Sequence, residues 1–244
     1  MEVIRLPGIH HDTSISIISG SERSVLIDCG TSWHQVNVEQ RIVSKMESLP
    51  DIEAILLTHR HYDTAGAANF LSEKFQAPIL IHPAATNSLL SNDQLTTWAS
   101  RYDSDMPETQ TIPLTDGWEM NLGGGTIKSI PTPGHTSCHC SFIIPELSII
   151  FTGDLIPSPD YPGRTDLPTG NIPQMLDSLN KIISLNPDVI VPSRGNTIRG
   201  KEVDFVLKKH RDFFALLIEN KGELPADWPK PAPTCMWWTP SPSW

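Results

Sequence analysis

One short stretch constrains this chain more than any other: Leu56-Leu57-Thr58-His59-Arg60-His61-Tyr62-Asp63-Thr64-Ala65-Gly66. It continues the apolar run 54–57, which reads as a buried strand. His59, His61 and Asp63 then recur at a spacing of two. On extended chain that spacing places all three side chains on one side. Two imidazoles and a carboxylate meeting just past a strand end form the beginning of a transition-metal site. A polar loop with ordinary surface histidines gives the same pattern by chance, so the rest of the chain decides.

Two more strand-like runs end in ligand-type residues. His135 lies in Pro131-Thr132-Pro133-Gly134-His135-Thr136, after the run 126–130. Asp154 closes Phe151-Thr152-Gly153-Asp154, after the apolar run 147–151. With Leu26-Ile27-Asp28-Cys29-Gly30 near the start, this set of motifs resembles the metallo-β-lactamase-fold hydrolase superfamily over nearly the whole chain. The segment Gly163-Arg164-Thr165-Asp166-Leu167-Pro168-Thr169-Gly170-Asn171 looks like the glyoxalase II-like branch. The resemblance implies a four-layer αββα sandwich with the metal loops along one edge. It also implies a metal held by His59, His61 and His135, with Asp154 as the carboxylate beside it.

The departures from the family pattern are equally informative. The family's usual His-x-His-x-Asp-His ends here in Thr64, and its late Pro-Gly-His-Gly turn reads Pro192-Ser193-Arg194-Gly195. Both missing histidines belong to the family's second metal site. A threonine hydroxyl is a poor ligand beside imidazole, and arginine, fixed in its positive charge, cannot bind a cation. One metal ion per chain is therefore expected, zinc first, with iron or manganese open. Arg194 is expected to bind an anionic group of the substrate. Asp63 is expected to serve the attacking water, and Asp28 to steady a ligand imidazole. Ligand histidines commonly need such a partner to fix the tautomer.

A chain of 244 residues suits one domain of this fold with a sizeable core. The division expected is residues 1–224 as that domain and 225–244 as a tail rich in proline and tryptophan. The tail is read as a strap packed on the domain, with a lid or a homodimer contact as the alternatives. The net charge of −10 argues against binding nucleic acid or an anionic membrane through a general basic field. No apolar run approaches 18 residues and no leader pattern opens the chain, so no membrane span and a cytoplasmic location are expected. Four cysteines do not suggest a disulfide scaffold. Cys138 and Cys140, flanking His139, are read as small core residues sharing one strand face.

Periodicity gives strands at 3–6, 14–18, 25–28, 54–57, 78–81 and 189–191, and mostly strands from 109 to 151. Val36, Ile42, Val43, Met46 and Leu49 suggest a helical stripe ended by Pro50. Helices are also expected over 65–75, 84–90, 93–99 and 173–185, and a last amphipathic one carries Val203 to Leu217. His10 and His11 lie in a loop between the first two strands and are candidates to replace a missing ligand, although a surface pair is the simpler reading. Tyr62 and Tyr161 are candidate hydrogen-bond donors to a substrate.

The function expected is a metal-dependent hydrolase acting on an ester-type bond of a small anionic molecule. Thioesters come first; lactones, other esters and phosphodiesters follow. Two alternatives belong to other classes. Two histidines with Asp154 suit a mononuclear iron dioxygenase of the persulfide dioxygenase type. A degenerate site that only binds a metal or an anion is the other.

Overall fold

The computed structural model describes residues 1–223. The proline- and tryptophan-rich tail lies outside the described residues, and with it Cys235. The first sheet contains β1 (Glu2–Leu6), β2 (Ile15–Ser19), β3 (Ser24–Ile27), β4 (Ile52–Leu56), β5 (Ile79–Ile81) and β6 (Ile112–Pro113), in that spatial order. The second runs β12 (Ile198–Arg199), β11 (Val189–Pro192), β10 (Ile149–Gly153), β9 (Cys140–Ile144), β8 (Thr126–Pro131), β7 (Glu119–Asn121). Among the described residues, six α-helices accompany the sheets: α1 (Gln35–Val43), α2 (Tyr62–Ala65), α3 (Ala68–Phe75), α4 (Pro83–Leu90), α5 (Ile172–Leu185) and α6 (Lys201–Glu219).

Strand alternation builds the layers. On β4, Ile55 faces the helices α1, α3 and α4, and so does Leu57 just beyond the strand, while Ala54 and Leu56 face the second sheet. On β10, Ile150 packs beneath α5 and α6, while Ile149 and Phe151 face the first sheet. The result is helix, sheet, sheet, helix with three cores: one under each helical layer and one between the sheets. This is the αββα sandwich expected from the motifs. Apolar residues on both faces are what sheets covered on both sides require.

Local chemistry sets the helix ends. The Asn171 side chain accepts the Gln174 N–H at 2.9 Å and Pro173 sits in the first turn, which starts α5. His82 does the same for α4 through the Ala84 N–H.

Two helix expectations differ from the structure. Over 35–43 the buried positions are Val38 and Ile42, while Val36 and Val43 are more than half and half exposed respectively. The helix turns its 38/42 stripe inward, and Met46 and Leu49 pack beyond its end. Residues 93–99 form turns rather than a helix, followed by a 3-10 turn at Ala99–Tyr102. The Asp93 side chain accepts the N–H groups of Leu95 and Thr96, both at 3.0 Å, and so competes with helical hydrogen bonding. Among the described residues, no helix is long and apolar enough to cross a membrane.

Candidate metal centre

Two strand ends deliver the three imidazoles. Beyond β4 the chain bends at Thr58 and reaches His61, whose extended backbone precedes α2. His135 follows β8 by way of Gly134, whose φ of 141° and closeness to the Met175 backbone leave no room for a side chain. One ring nitrogen from each of His59, His61 and His135 lies within 4.8 Å of the other two. His61 Nδ1 and His135 Nε2 approach to 2.9 Å.

The partners of these rings fix which nitrogen faces inward. His135 Nδ1 donates to the Arg164 carbonyl at 2.8 Å, which leaves the Nε2 lone pair pointing at the centre. His59 Nδ1 meets the Thr58 hydroxyl at 3.0 Å. Thr58 is in turn bonded to the Asp28 carboxyl through its own N–H at 2.8 Å and its hydroxyl at 3.0 Å. Asp28 therefore reaches the His59 imidazole only through Thr58. Burial pushes the Asp28 carboxyl up to about 8. All three rings are buried, and burial, followed for His59 and His61 by the neighbouring histidines, lowers their pKa values. His61 Nε2 is buried with no hydrogen-bond partner among the described residues. Three neutral imidazoles with converging lone pairs are the donor set a transition metal takes, so the residues fit one.

Asp154 stands at the edge of this trio. Its Oδ2 is 3.5 Å from His135 Nε2. Its Oδ1 accepts from the Ser193 hydroxyl at 2.5 Å and from Arg194 at 2.8 Å. The other terminal nitrogen of Arg194 pairs with Asp63 Oδ2 and reaches the His11 carbonyl at 3.3 Å. One guanidinium thus bridges both carboxylates, beside Thr64, whose hydroxyl is 3.5 Å from His59 Nε2. Burial raises the Asp154 carboxyl, but Arg194, His135 and Ser193 outweigh it and hold it below the usual range. Burial also raises Asp63, with Arg194 opposing.

The remaining sequence candidates sort clearly. His10 is exposed and packs on His34, ring centroids 5.6 Å apart, and His11 offers Arg194 only its carbonyl; neither joins the imidazole trio. Cys29, Cys138 and Cys140 are buried and free, but Cys138 and Cys140 do not share a core. Cys138 precedes β9 and packs with the first sheet and its helices, whereas Cys140 lies between the sheets. His139 is structural: Nε2 accepts the Asp154 N–H at 3.1 Å and Nδ1 meets the Thr132 hydroxyl at 2.9 Å. Tyr62 is buried against Ser32. Tyr102, which has no motif around it, adjoins Asp63 instead.

Sequence reasoning also missed Arg60. Its buried guanidinium bonds Cys138 Sγ at 3.2 Å, Ser137 Oγ at 2.7 Å and Ser88 Oγ at 3.0 Å, tying the His59–His61 loop to the His135 turn. The histidine spacing gave a place for Arg60 but no hint of its direction. Above the metal centre, Trp98, Pro157, Pro162, Arg164 and Leu167 form a largely apolar cavity with Asp63 and Arg194 inside it.

A sandwich with three imidazoles gathered at one sheet edge defines a class, the metal-dependent hydrolases built on this fold. Comparison with known proteins agrees: the chain belongs to the metallo-beta-lactamase superfamily, whose sequence model matches residues 10–194. A probable metallo-hydrolase of Methanocaldococcus jannaschii is 32% identical over 198 residues, covering 79% of this chain and 92% of the relative. The hydroxyacylglutathione hydrolase GloC of Haemophilus influenzae is 28% identical over 199 residues, covering 78% and 88%. Among solved structures, TTHA1623, determined in a di-iron-bound form, is 27% identical with a TM-score of 0.65, covering 82% of this chain and 94% of its own.

Proposed function

We propose that the protein hydrolyses an ester-type bond, a thioester first, in a small anionic substrate, using one metal ion and a built-in guanidinium where relatives carry a second ion. The observation that carries this reading is Arg194 bridging Asp63 and Asp154 beside three convergent imidazoles. His59, His61 and His135 would hold the metal. When bound, it lowers the pKa of water and polarises the scissile carbonyl. Zinc suits the all-imidazole set, and the di-iron relative keeps iron in view.

The chain's own residues divide the remaining work. Asp154 is committed to Ser193 and Arg194 and steadies the edge of the trio. Asp63 Oδ2 is paired with Arg194, while Oδ1, buried with the Tyr102 hydroxyl nearby, has no partner of ordinary geometry among the described residues and would orient a water and take its proton. Arg194 presents positive charge to a substrate anion or to the oxyanion that develops on the carbonyl. The relative named for hydroxyacylglutathione hydrolysis supports thioesters as the first class to try. Three imidazoles converge and Asp154 is already engaged, which supports hydrolysis over a site of two histidines and one carboxylate for oxygen chemistry.

The test combines elemental analysis of the purified protein with turnover of acyl thioesters. We expect about one metal per chain, loss of metal in His135→Ala, and retained metal with sharply reduced turnover in Asp63→Asn. Two tightly held ions, or equal metal loss in both variants, would refute the division of roles. No turnover of any thioester, lactone or phosphodiester by the zinc-loaded protein would refute hydrolysis.

A further inference from the structure

The loop at 93–103 holds Trp98 with φ 60° and ψ 19°. A bulky side chain rarely adopts that left-handed conformation, and such strain persists only where the surroundings over-determine it. Here they do. The Asp93 carboxylate anchors the N–H groups of Leu95 and Thr96, and the Asp93 carbonyl accepts the Thr97 N–H at 3.2 Å. The Thr97 carbonyl accepts the Tyr62 N–H at 2.8 Å, linking the loop to α2 beside the metal ligands, and the Trp98 carbonyl accepts the Arg101 N–H at 3.1 Å.

This pinned backbone sets the indole at the mouth of the cavity, its centroid 6.1 Å from the His61 ring. Tyr102 packs against it edge-on at 6.4 Å. Over the ring lies a planar group already: the Arg164 guanidinium, with Cζ 4.7 Å from the ring centroid. Arg164 also bonds the Asp166 carboxylate; the Arg164 side chain is 10% exposed and the Asp166 side chain 58%, so a guanidinium leaving the indole would move toward solvent alongside that partner. Pro157, Pro162 and Leu167 supply the apolar part of the remaining lining, Ser158 and the residues of the metal centre its polar part, and Arg194 lies inside the cavity.

We propose that Trp98 is the specificity-determining residue of this site and that it selects a monoanion with a flat unsaturated portion, an aryl or enoyl group. The flat portion takes the place of Arg164 on the indole, and the anionic end meets Arg194. A rigid indole gains from offset stacking with a flat π-system beyond simple burial, a gain a saturated ring of the same skeleton does not share. Arg194 supplies the preference for charge. The inference rests on the reading of the site as one for an anionic substrate.

The test is calorimetric binding to the zinc-loaded protein with three matched probes: naphthalene-2-carboxylate, decahydronaphthalene-2-carboxylate and naphthalene-2-carboxamide. We expect the flat carboxylate to bind about two- to tenfold tighter than the saturated one, the range that aromatic pairing spans. The neutral amide should bind weaker than the flat carboxylate. Trp98→Leu should abolish the preference for the flat skeleton, while Trp98→Phe, which keeps an aromatic face, should retain part of it. Equal binding of the two carboxylates by the unmodified protein, a preference that survives Trp98→Leu, or no binding of any probe at millimolar concentration would each overturn the proposal. The unmodified protein alone decides the first point if a variant fails to fold. Hydrolysis of the corresponding thioesters is assayed in parallel: a binding preference without turnover counts against the proposed hydrolase and leaves the role of Trp98 standing, whereas turnover without preference does the reverse.

Discussion

Replacing Arg194 with methionine should expose how much the centre depends on its guanidinium. The change keeps most of the side chain's apolar stem and removes the charge together with its donors to Asp63, Asp154 and the His11 carbonyl. The Arg194 side chain is 20% exposed, and its partners Asp63 and Asp154 are 8% and 12% exposed. Breaking a buried pair by removing one partner costs about 3–5 kcal/mol, and the residual exposure favours the lower end. A domain of this size loses roughly 2–4 °C of Tm per kcal/mol, so the drop should be roughly 6–12 °C at pH 8. The loss should depend on pH with a definite sign. Burial already raises Asp63 against the opposition of Arg194, so removing the arginine lifts it further. A carboxyl whose folded pKa lies above its unfolded one contributes stability at low pH and loses it as pH rises. The deficit should therefore shrink at pH 5, and excess zinc should relieve it at pH 8 by occupying the vacated charge position. Differential scanning calorimetry at both pH values, with and without zinc, measures all of this. A Tm drop below about 2 °C at pH 8, or the same deficit at pH 5 and 8, would refute the account of Arg194 as the charge that holds the two carboxylates.

Further outcomes follow from the same geometry. Thr64→His together with Arg194→His should raise the metal content of the purified protein from about one equivalent toward two, read by elemental analysis. Thr58→Val removes the hydroxyl that meets His59 Nδ1 at 3.0 Å, and chelator competition should show metal affinity about 10–100-fold weaker. Stability of the metal-free protein, followed by thermal melts in chelator, should peak between about pH 6 and 7.5. Burial holds His139 down to about 3 and His210 to about 4, so each gains a proton only on unfolding. Below about pH 6.5 each should remove about 1.4 kcal/mol per pH unit as pH falls, and the three ligand imidazoles act in the same direction. Asp12 and Asp28, pushed up by burial to about 7 and about 8, hold protons in the folded state from about pH 4 upward, so each costs stability as pH rises; they partly offset the five histidines below about pH 6.5 and leave a net decline above it. A Tm that stays flat from pH 4 to 6 would count against neutral buried histidines.

What the sequence disclosed depended on how local the cause was. The buried strand at Ala54-Ile55-Leu56-Leu57 and the start of α5 near Pro173 have causes within a few residues, and both were legible. So were the three strand ends, because ligand spacing and strand period are both short-range. Of the partners that orient the rings, the sequence pointed to Asp28 but not to the Thr58 hydroxyl between it and His59, nor to the carbonyl that His135 meets. Thr58 meets Asp28 across 30 residues, and His135 meets the Arg164 carbonyl across 29. A carbonyl has no sequence identity to recognise. Residues 93–99 misled for a different reason: apolar spacing suited a helix, but the side chain of Asp93 took the N–H groups that a helix would use.

The exchange of a metal ion for Arg194 has a chemical consequence on the proposed reading. A divalent ion at that position supplies charge and Lewis acidity together, and is lost when ligands protonate or chelators compete. A guanidinium supplies only charge and a fixed fork of donors, and it is never lost. Asp63 and Asp154 therefore keep their orientation whether or not the imidazole trio is loaded, so the site is organised before the metal arrives. The arginine cannot itself generate hydroxide, so activation of water falls wholly to the ion on His59, His61 and His135 with Asp63 beside it. Such a site should tolerate scarce metal better than a two-ion centre. Its catalytic power should also depend more steeply on one carboxylate, which is why retained metal with lost turnover in Asp63→Asn is the signature that separates this arrangement from its two-metal relatives.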